Sequence, residues 1–110
     1  MSREDDSDRI FKALADKRRR RILDLLKDSP KTTGALCAAI PELDRCTVMQ
    51  HMRVLEAADL IIVQRKGRER WNYLNALPIK DIHDRWIGDY AENAVNLLSR
   101  LKSDLEAPTN

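Results

Sequence analysis

A chain of 110 residues, 43% hydrophobic and 35% charged, is long enough for one domain with one small core. It holds no apolar run near the roughly eighteen residues that a membrane-spanning helix needs. Its net charge of +2 excludes little by itself, while two cysteines exclude a disulfide scaffold and fit a reducing compartment.

The charge is unevenly placed. Residues 1–8 carry one base and four acids, residues 9–75 fifteen bases against eight acids, and residues 76–110 four bases and six acids. A basic field confined to the central segment suits an anionic partner. The acidic start has no apolar stretch, so no signal peptide is expected there, and a cytoplasmic location follows.

In chain order, residues 1–8 read as a disordered acidic N-terminus. Asp8 then caps a first helix over about residues 9–15, with Ile10, Phe11 and Leu14 apolar. Asp16 is a second N-cap, ahead of KRRRRILDLLKD, where Ile22, Leu23, Leu25 and Leu26 make a wide apolar stripe. The run Lys17 to Arg21 holds five bases that cannot all point one way, and Asp28-Ser29-Pro30 stops the helix. In TTGALCAAI, Thr32 or Thr33 caps a short helix with Leu36 and Ile40 inward, and Ala35, Ala38 and Ala39 allow close approach. Pro41 to Asp44 is a turn.

The stretch from Asp44 to Leu60 organises the rest. Val48, Met52 and Leu55 form one apolar face, and Asp44 caps the amide of Thr47. The opposite face is read as Arg45, Thr47, Gln50, His51 and Arg53, with two cations and no acid. A short helix, a tight turn and a longer helix with a polar face have helix-turn-helix spacing. From Leu60 to Asn75 the period changes to alternation. IIVQR and RWNYLN flank Lys66-Gly67-Arg68, which predicts a β-hairpin with Trp71 and Tyr73 on the face opposite to Asn72. Its tip carries Arg65, Lys66, Arg68 and Arg70, as a wing along a phosphate backbone does; the same charges also keep an edge strand from pairing.

From Pro78, apolar residues at Ile79, Ile82, Trp86, Tyr90, Ala94, Leu97, Leu101 and Leu105 recur every three or four positions. One continuous helix to about residue 106 is expected, long enough to leave a seam for a second copy. The alternative is a break at Gly88. The predicted fold is mainly α with a small β-hairpin (α+β). Its parts are a winged helix-turn-helix over residues 9–77 and a dimerisation helix over residues 78–106.

These blocks together resemble the ArsR-type winged helix-turn-helix regulators. The likeness rests on ALADKRRRRIL (Ala13 to Leu23), on TTGALCAAI, on HMRVL (His51 to Leu55) and on the GRERWNYL hairpin. It implies a small homodimer that binds a palindromic operator in double-stranded DNA and represses transcription, not an enzyme. The helix from 44 to 58 would be the recognition helix and residues 65–70 the wing. Phosphate contacts would come from Lys17, Arg18, Thr32, Thr33, Arg65, Lys66, Arg68 and Arg70. Base reading would come from Arg45, Thr47, Gln50, His51 and Arg53, with Cys46 beside them. Ile10, Leu14, Ile79, Ile82, Trp86, Tyr90, Leu97 and Leu101 would form the dimer interface.

The chain departs from the family pattern at Met49, commonly serine, at Ala35, commonly acidic, and at Asp59, commonly glycine. The family's metal sites are incomplete here: Cys37 lacks its second thiolate at Ala39, and Asp81 and His83 lack ligands at Ala94 and Leu97. No metal and no cofactor are therefore expected. Three alternatives stay open: a protein-binding winged helix, and a redox- or metal-responsive repressor acting through Cys37 or Cys46. An enzyme finds no support, because a glycine-rich phosphate loop, a nucleophile motif and a histidine triad are all lacking.

Overall fold

The computed structural model describes residues 3–88 and 91–106. Helix α1 (Arg3–Leu14) begins well ahead of the expected cap at Asp8. Glu4, Asp5 and Asp6 occupy its first turn, where carboxylates offset the exposed amides and the positive end of the dipole. The expected disordered segment 1–8 is thus helical from residue 3. Helix α2 (Lys17–Asp28) follows after a two-residue corner and buries Ile22, Leu23 and Leu26. Strand β1 (Lys31–Thr32) was not expected. It leads directly into helix α3 (Thr33–Ala39), then helix α4 (Arg45–Ala57), strand β2 (Ile61–Lys66) and strand β3 (Glu69–Leu74).

The three strands are antiparallel in the order β1-β3-β2, with Lys31 opposite Asn72 and Lys66 opposite Glu69. The two-residue loop between β2 and β3 starts at Gly67, whose φ of 64° is the conformation that glycine adopts most cheaply. Asn72 ties strand β1 and the start of α3 to β3. This side chain is fully buried, and its Nδ2 donates to the Lys31 carbonyl at 3.2 Å and to Thr33 Oγ1 at 3.1 Å. Asn72 and the pair Trp71 and Tyr73 lie on opposite faces, as expected: Asn72 points inward, while Trp71 and Tyr73 are half-buried. Its Nδ2 is satisfied by these bonds, while its buried Oδ1 has no hydrogen-bond partner.

The core lies among the helices and the inner strand face. Ile22, Leu36, Ile40, Val48, Met52, Leu55 and Leu60 are fully buried. Ile10, expected at a dimer interface, is 7% exposed and belongs to this core instead. Helix α4 packs on α1, α2, α3 and β2, so its inner face is covered from several sides.

The chain divides into two compact units between Ile79 and Lys80. Helix α5 (Leu77–Trp86) crosses that boundary, and helix α6 (Ala91–Glu106) lies in the second unit. The single long helix expected from residue 78 is thus two helices. Gly88, with φ 59°, follows α5 in a left-handed conformation that an α-helix cannot contain. Helix α6 exposes Val95, Leu97, Leu98, Leu101 and Leu105. Among the described residues no helix is long and apolar enough to cross a membrane.

Candidate nucleic-acid interface

Helix α4 owes its position to its two ends and its inner face. Asp44 is the N-cap: its Oδ1 accepts from the Thr47 amide at 2.7 Å. That bond holds the Asp44 carboxyl below the usual carboxylate range. At the other end Asp59 adopts φ 61°. Its amide donates to the Glu56 carbonyl at 3.0 Å, and the Leu60 amide donates to the Leu55 carbonyl at 2.9 Å. This is the Schellman arrangement, with aspartate where glycine is usual. Asn75 completes the joint: its Nδ2 donates to the Asp59 carbonyl at 2.8 Å, and its backbone amide donates to the Leu60 carbonyl at 2.9 Å. The hairpin therefore leaves the helix in a fixed direction.

Between these ends, α4 buries Val48, His51, Met52 and Leu55. Its outward face carries Cys46, Gln50, Arg53 and Ala57, with Arg45 exposed in the first turn and Thr47 and Met49 half-buried at the flanks. The expected polar face stands except at His51. This residue is only 9% exposed, so it cannot reach a base. It lies three residues after Val48 and four before Leu55, which puts it on the inner face of the helix. That spacing was present in the sequence; the polarity of the imidazole hid it.

The basic run at the start of α2 divides by function. Asp16 caps α2 through its Oδ1, which accepts from the Arg18 amide at 2.8 Å; this bond depresses the Asp16 carboxyl. Lys17 and Arg18 are exposed. Arg19 and Arg20 turn back onto the end of α1. The Arg19 guanidinium donates to the Ala13 carbonyl at 2.7 Å and to the Lys12 carbonyl at 2.9 Å, and Arg20 donates to the Leu14 carbonyl at 2.7 Å. Cations at a helix C-terminus satisfy its orphan carbonyls and match its dipole. Arg21 reaches the end of α3, donating to the Ala39 carbonyl at 3.0 Å and pairing with Glu42. Three of the five bases thus hold helix ends in place.

The wing divides similarly. Arg65, Lys66 and Arg68 are exposed, with the Lys66 ammonium 5.7 Å from the Trp71 ring centroid. Arg70 is half-buried, and its Nη2 donates to Glu56 Oε2 of α4 at 2.7 Å. Its charge is already matched, so it joins the wing to α4. Thr32 caps α3 by accepting from the Ala35 amide at 3.1 Å. Thr33 is buried and its hydroxyl accepts from Asn72, so it too is removed from any ligand-facing surface. Sequence reading missed Arg19, Glu56 and Asn72, each of which acts through a partner distant in the chain.

Neither cysteine forms a disulfide: Cys37 is half-buried and Cys46 exposed. His83 Nδ1 lies 3.3 Å from Asp84, its sequence neighbour, rather than against Asp81. Among the described residues no group of three or more His, Cys, Asp or Glu side chains is placed to hold a metal ion.

Residues 14–64 match a family described as a helix-turn-helix domain. The chain is 36% identical over 88 residues to the uncharacterized HTH-type transcriptional regulator YuzN of Bacillus subtilis, covering 74% of this chain and 96% of that protein. It is 33% identical over 72 residues to the transcriptional repressor SdpR of the same organism, covering 66% and 79%. Its fold is also that of the homodimeric winged helix-turn-helix DNA-binding domain Mb0332 from Mycobacterium bovis. The TM-score is 0.61 at 23% identity, over 96% of this chain and 87% of that one.

Proposed function

The chain belongs to the helix-turn-helix transcriptional regulators, and on that premise we propose that it is a cytoplasmic homodimeric repressor of the ArsR type that reads a palindromic operator with α4. The observation that carries this reading is the division of α4. One face is sealed into the core, while the other offers Arg45, Cys46, Thr47, Gln50 and Arg53 on a helix capped at both ends. A rigid helix of this kind fits the major groove. There Gln50 can pair with the two hydrogen-bonding groups of adenine, and Arg45 or Arg53 with those of guanine. Lys17 and Arg18, the α3 cap at Thr32 and the wing cations Arg65, Lys66 and Arg68 supply phosphate contacts that set register without reading sequence.

Dimerisation is supported by the second unit. Trp86 is 65% exposed, Leu97 65% and Leu101 54%, more large apolar surface than a small monomer usually leaves open. A second copy covers such a stripe with two-fold symmetry. Ile79, Ile82 and Leu14 are exposed or half-buried and fit the same role; Tyr90 lies outside the described residues. A two-fold dimer places the two α4 helices about 34–36 Å apart, one turn of DNA. The relative SdpR, a transcriptional repressor, supports the sign of regulation.

Selection of bound sites from random duplex DNA tests the reading. The expected result is an inverted repeat whose half-sites lie about ten base pairs apart, centre to centre. Enrichment of no sequence, or of an unpaired single site, refutes it.

A further inference from the structure

We propose that Arg19 and His51 are positioning residues for DNA reading: their hydrogen bond fixes the recognition helix α4 against the α1–α2 corner that carries Lys17 and Arg18. The inference rests on the DNA-reading role of α4 given above and adds two residues that touch no DNA.

The geometry is specific. Arg19 Nη1 lies 3.3 Å from His51 Nδ1. A guanidinium has only donors, so Nδ1 must accept, and the single proton of the neutral ring is on Nε2. The same guanidinium holds the Ala13 and Lys12 carbonyls at the end of α1, and its Nη1 is 4.0 Å from Asp16, the cap of α2. One side chain therefore ties together the end of α1, the start of α2 and the middle of α4. His51 is 9% exposed, and its buried Nε2 has no hydrogen-bond partner. A polar ring kept in the core without satisfying both nitrogens is a poor choice for stability alone, because an apolar residue of similar size avoids that cost.

The joint matters for reading because its two sides are the two halves of the interface. Gln50, directly before His51, faces outward; Lys17 and Arg18, directly before Arg19, are exposed. A shift of α4 against the corner changes which base edge Gln50 meets while the phosphate donors stay on the backbone. Losing the joint should therefore lower discrimination between sites and leave non-specific affinity nearly unchanged.

The test compares wild type, H51N, H51L and R19K. H51N keeps an acceptor, H51L removes the acceptor, and R19K keeps the charge but loses the fork. Fluorescence anisotropy measures binding to the wild-type-selected site and to a scrambled duplex at pH 7.5, and circular dichroism establishes folding. At pH 7.5, H51L and R19K should lose about ten-fold in discrimination, as for one lost base contact. Scrambled-duplex affinity should stay within about two-fold. H51N, which keeps an acceptor at this position, should retain most of the wild-type discrimination. A folded H51L with full discrimination overturns the proposal, as does a folded H51N that loses as much as H51L. If H51L does not fold, R19K decides by the same criterion. If the wild type selects no site at all, the DNA reading itself fails and the inference with it.

Discussion

The two wing arginines should separate in a salt series. Arg68 sits beside Gly67 at the tip of the hairpin and is exposed, whereas Arg70 is half-buried and paired with Glu56 at 2.7 Å. If Arg68 meets phosphate, each one in a dimer displaces a condensed counterion, and Arg68→Ala removes two contacts. The slope of log affinity against log salt should then fall by about 1.8, taking about 0.9 per phosphate contact on duplex DNA. Between about 50 and 200 mM salt, that difference reduces the loss of affinity about twelve-fold relative to wild type. Arg70→Met removes a charge that Glu56 already matches, so it should change the slope much less and act instead through the wing's attachment. Titration of a labelled operator and a scrambled duplex at four or five salt concentrations measures both slopes. An unchanged slope for Arg68→Ala, or a larger change for Arg70→Met, refutes this division of the wing.

Gln50→Ala should alter the ranking of operator variants, because Gln50 stands on the exposed face of α4; an unchanged ranking in a competition series shows that another face is read. Asp59→Gly should stabilise the fold by about 0.5–1 kcal/mol, since aspartate occupies φ 61° at the end of α4; a thermal midpoint that does not rise refutes the claim of strain. The Asp16 and Asp44 carboxyls lie below their ordinary value of 3.8 in the folded chain. Their contribution is complete above that value and is lost as pH falls through the lower folded values. Melting curves should therefore show an acid limb below about pH 4 that Asp44→Asn makes shallower; an unaltered limb removes Asp44 from it.

Where a local rule was enough, the fold was legible in the sequence. Asp16 and Asp44 are caps because a short side-chain oxygen ahead of an apolar period has little else to do, and Thr32 is the one of the two candidate threonines that caps α3, whereas Asp8, expected by the same rule, lies inside α1. Gly67 marked the hairpin turn for the same kind of reason. Long-range partners were not legible. Nothing local marks Asn72 as the inward residue of its strand, because the Thr33 hydroxyl and the Lys31 carbonyl that accept from it lie some forty positions earlier in the chain. His51 was assigned to the DNA-facing side by polarity although its spacing from Val48 and Leu55 placed it inside. At the C-terminal end the apolar period continues through a break, because periodicity records which face is apolar and not whether the backbone between two turns stays helical.

The arginines show the same dependence on distant partners. A run of bases before an apolar stripe looks like one electrostatic feature, but the backbone supplies acceptors as well as the solvent. Helix α1 ends only two residues before α2 begins, so its last carbonyls lie within reach of Arg19 and Arg20. The end of α3 stands likewise to Arg21. Those three, with Arg70 on Glu56, spend their hydrogen bonds inside the protein and lock the angles between elements. The exposed Lys17, Arg18, Arg45, Arg53, Arg65, Lys66 and Arg68 are then held on a surface that cannot easily rearrange. A chain with a net charge of only +2 can present a defined basic face this way, because fixed placement of a few cations matters more for register than their total number.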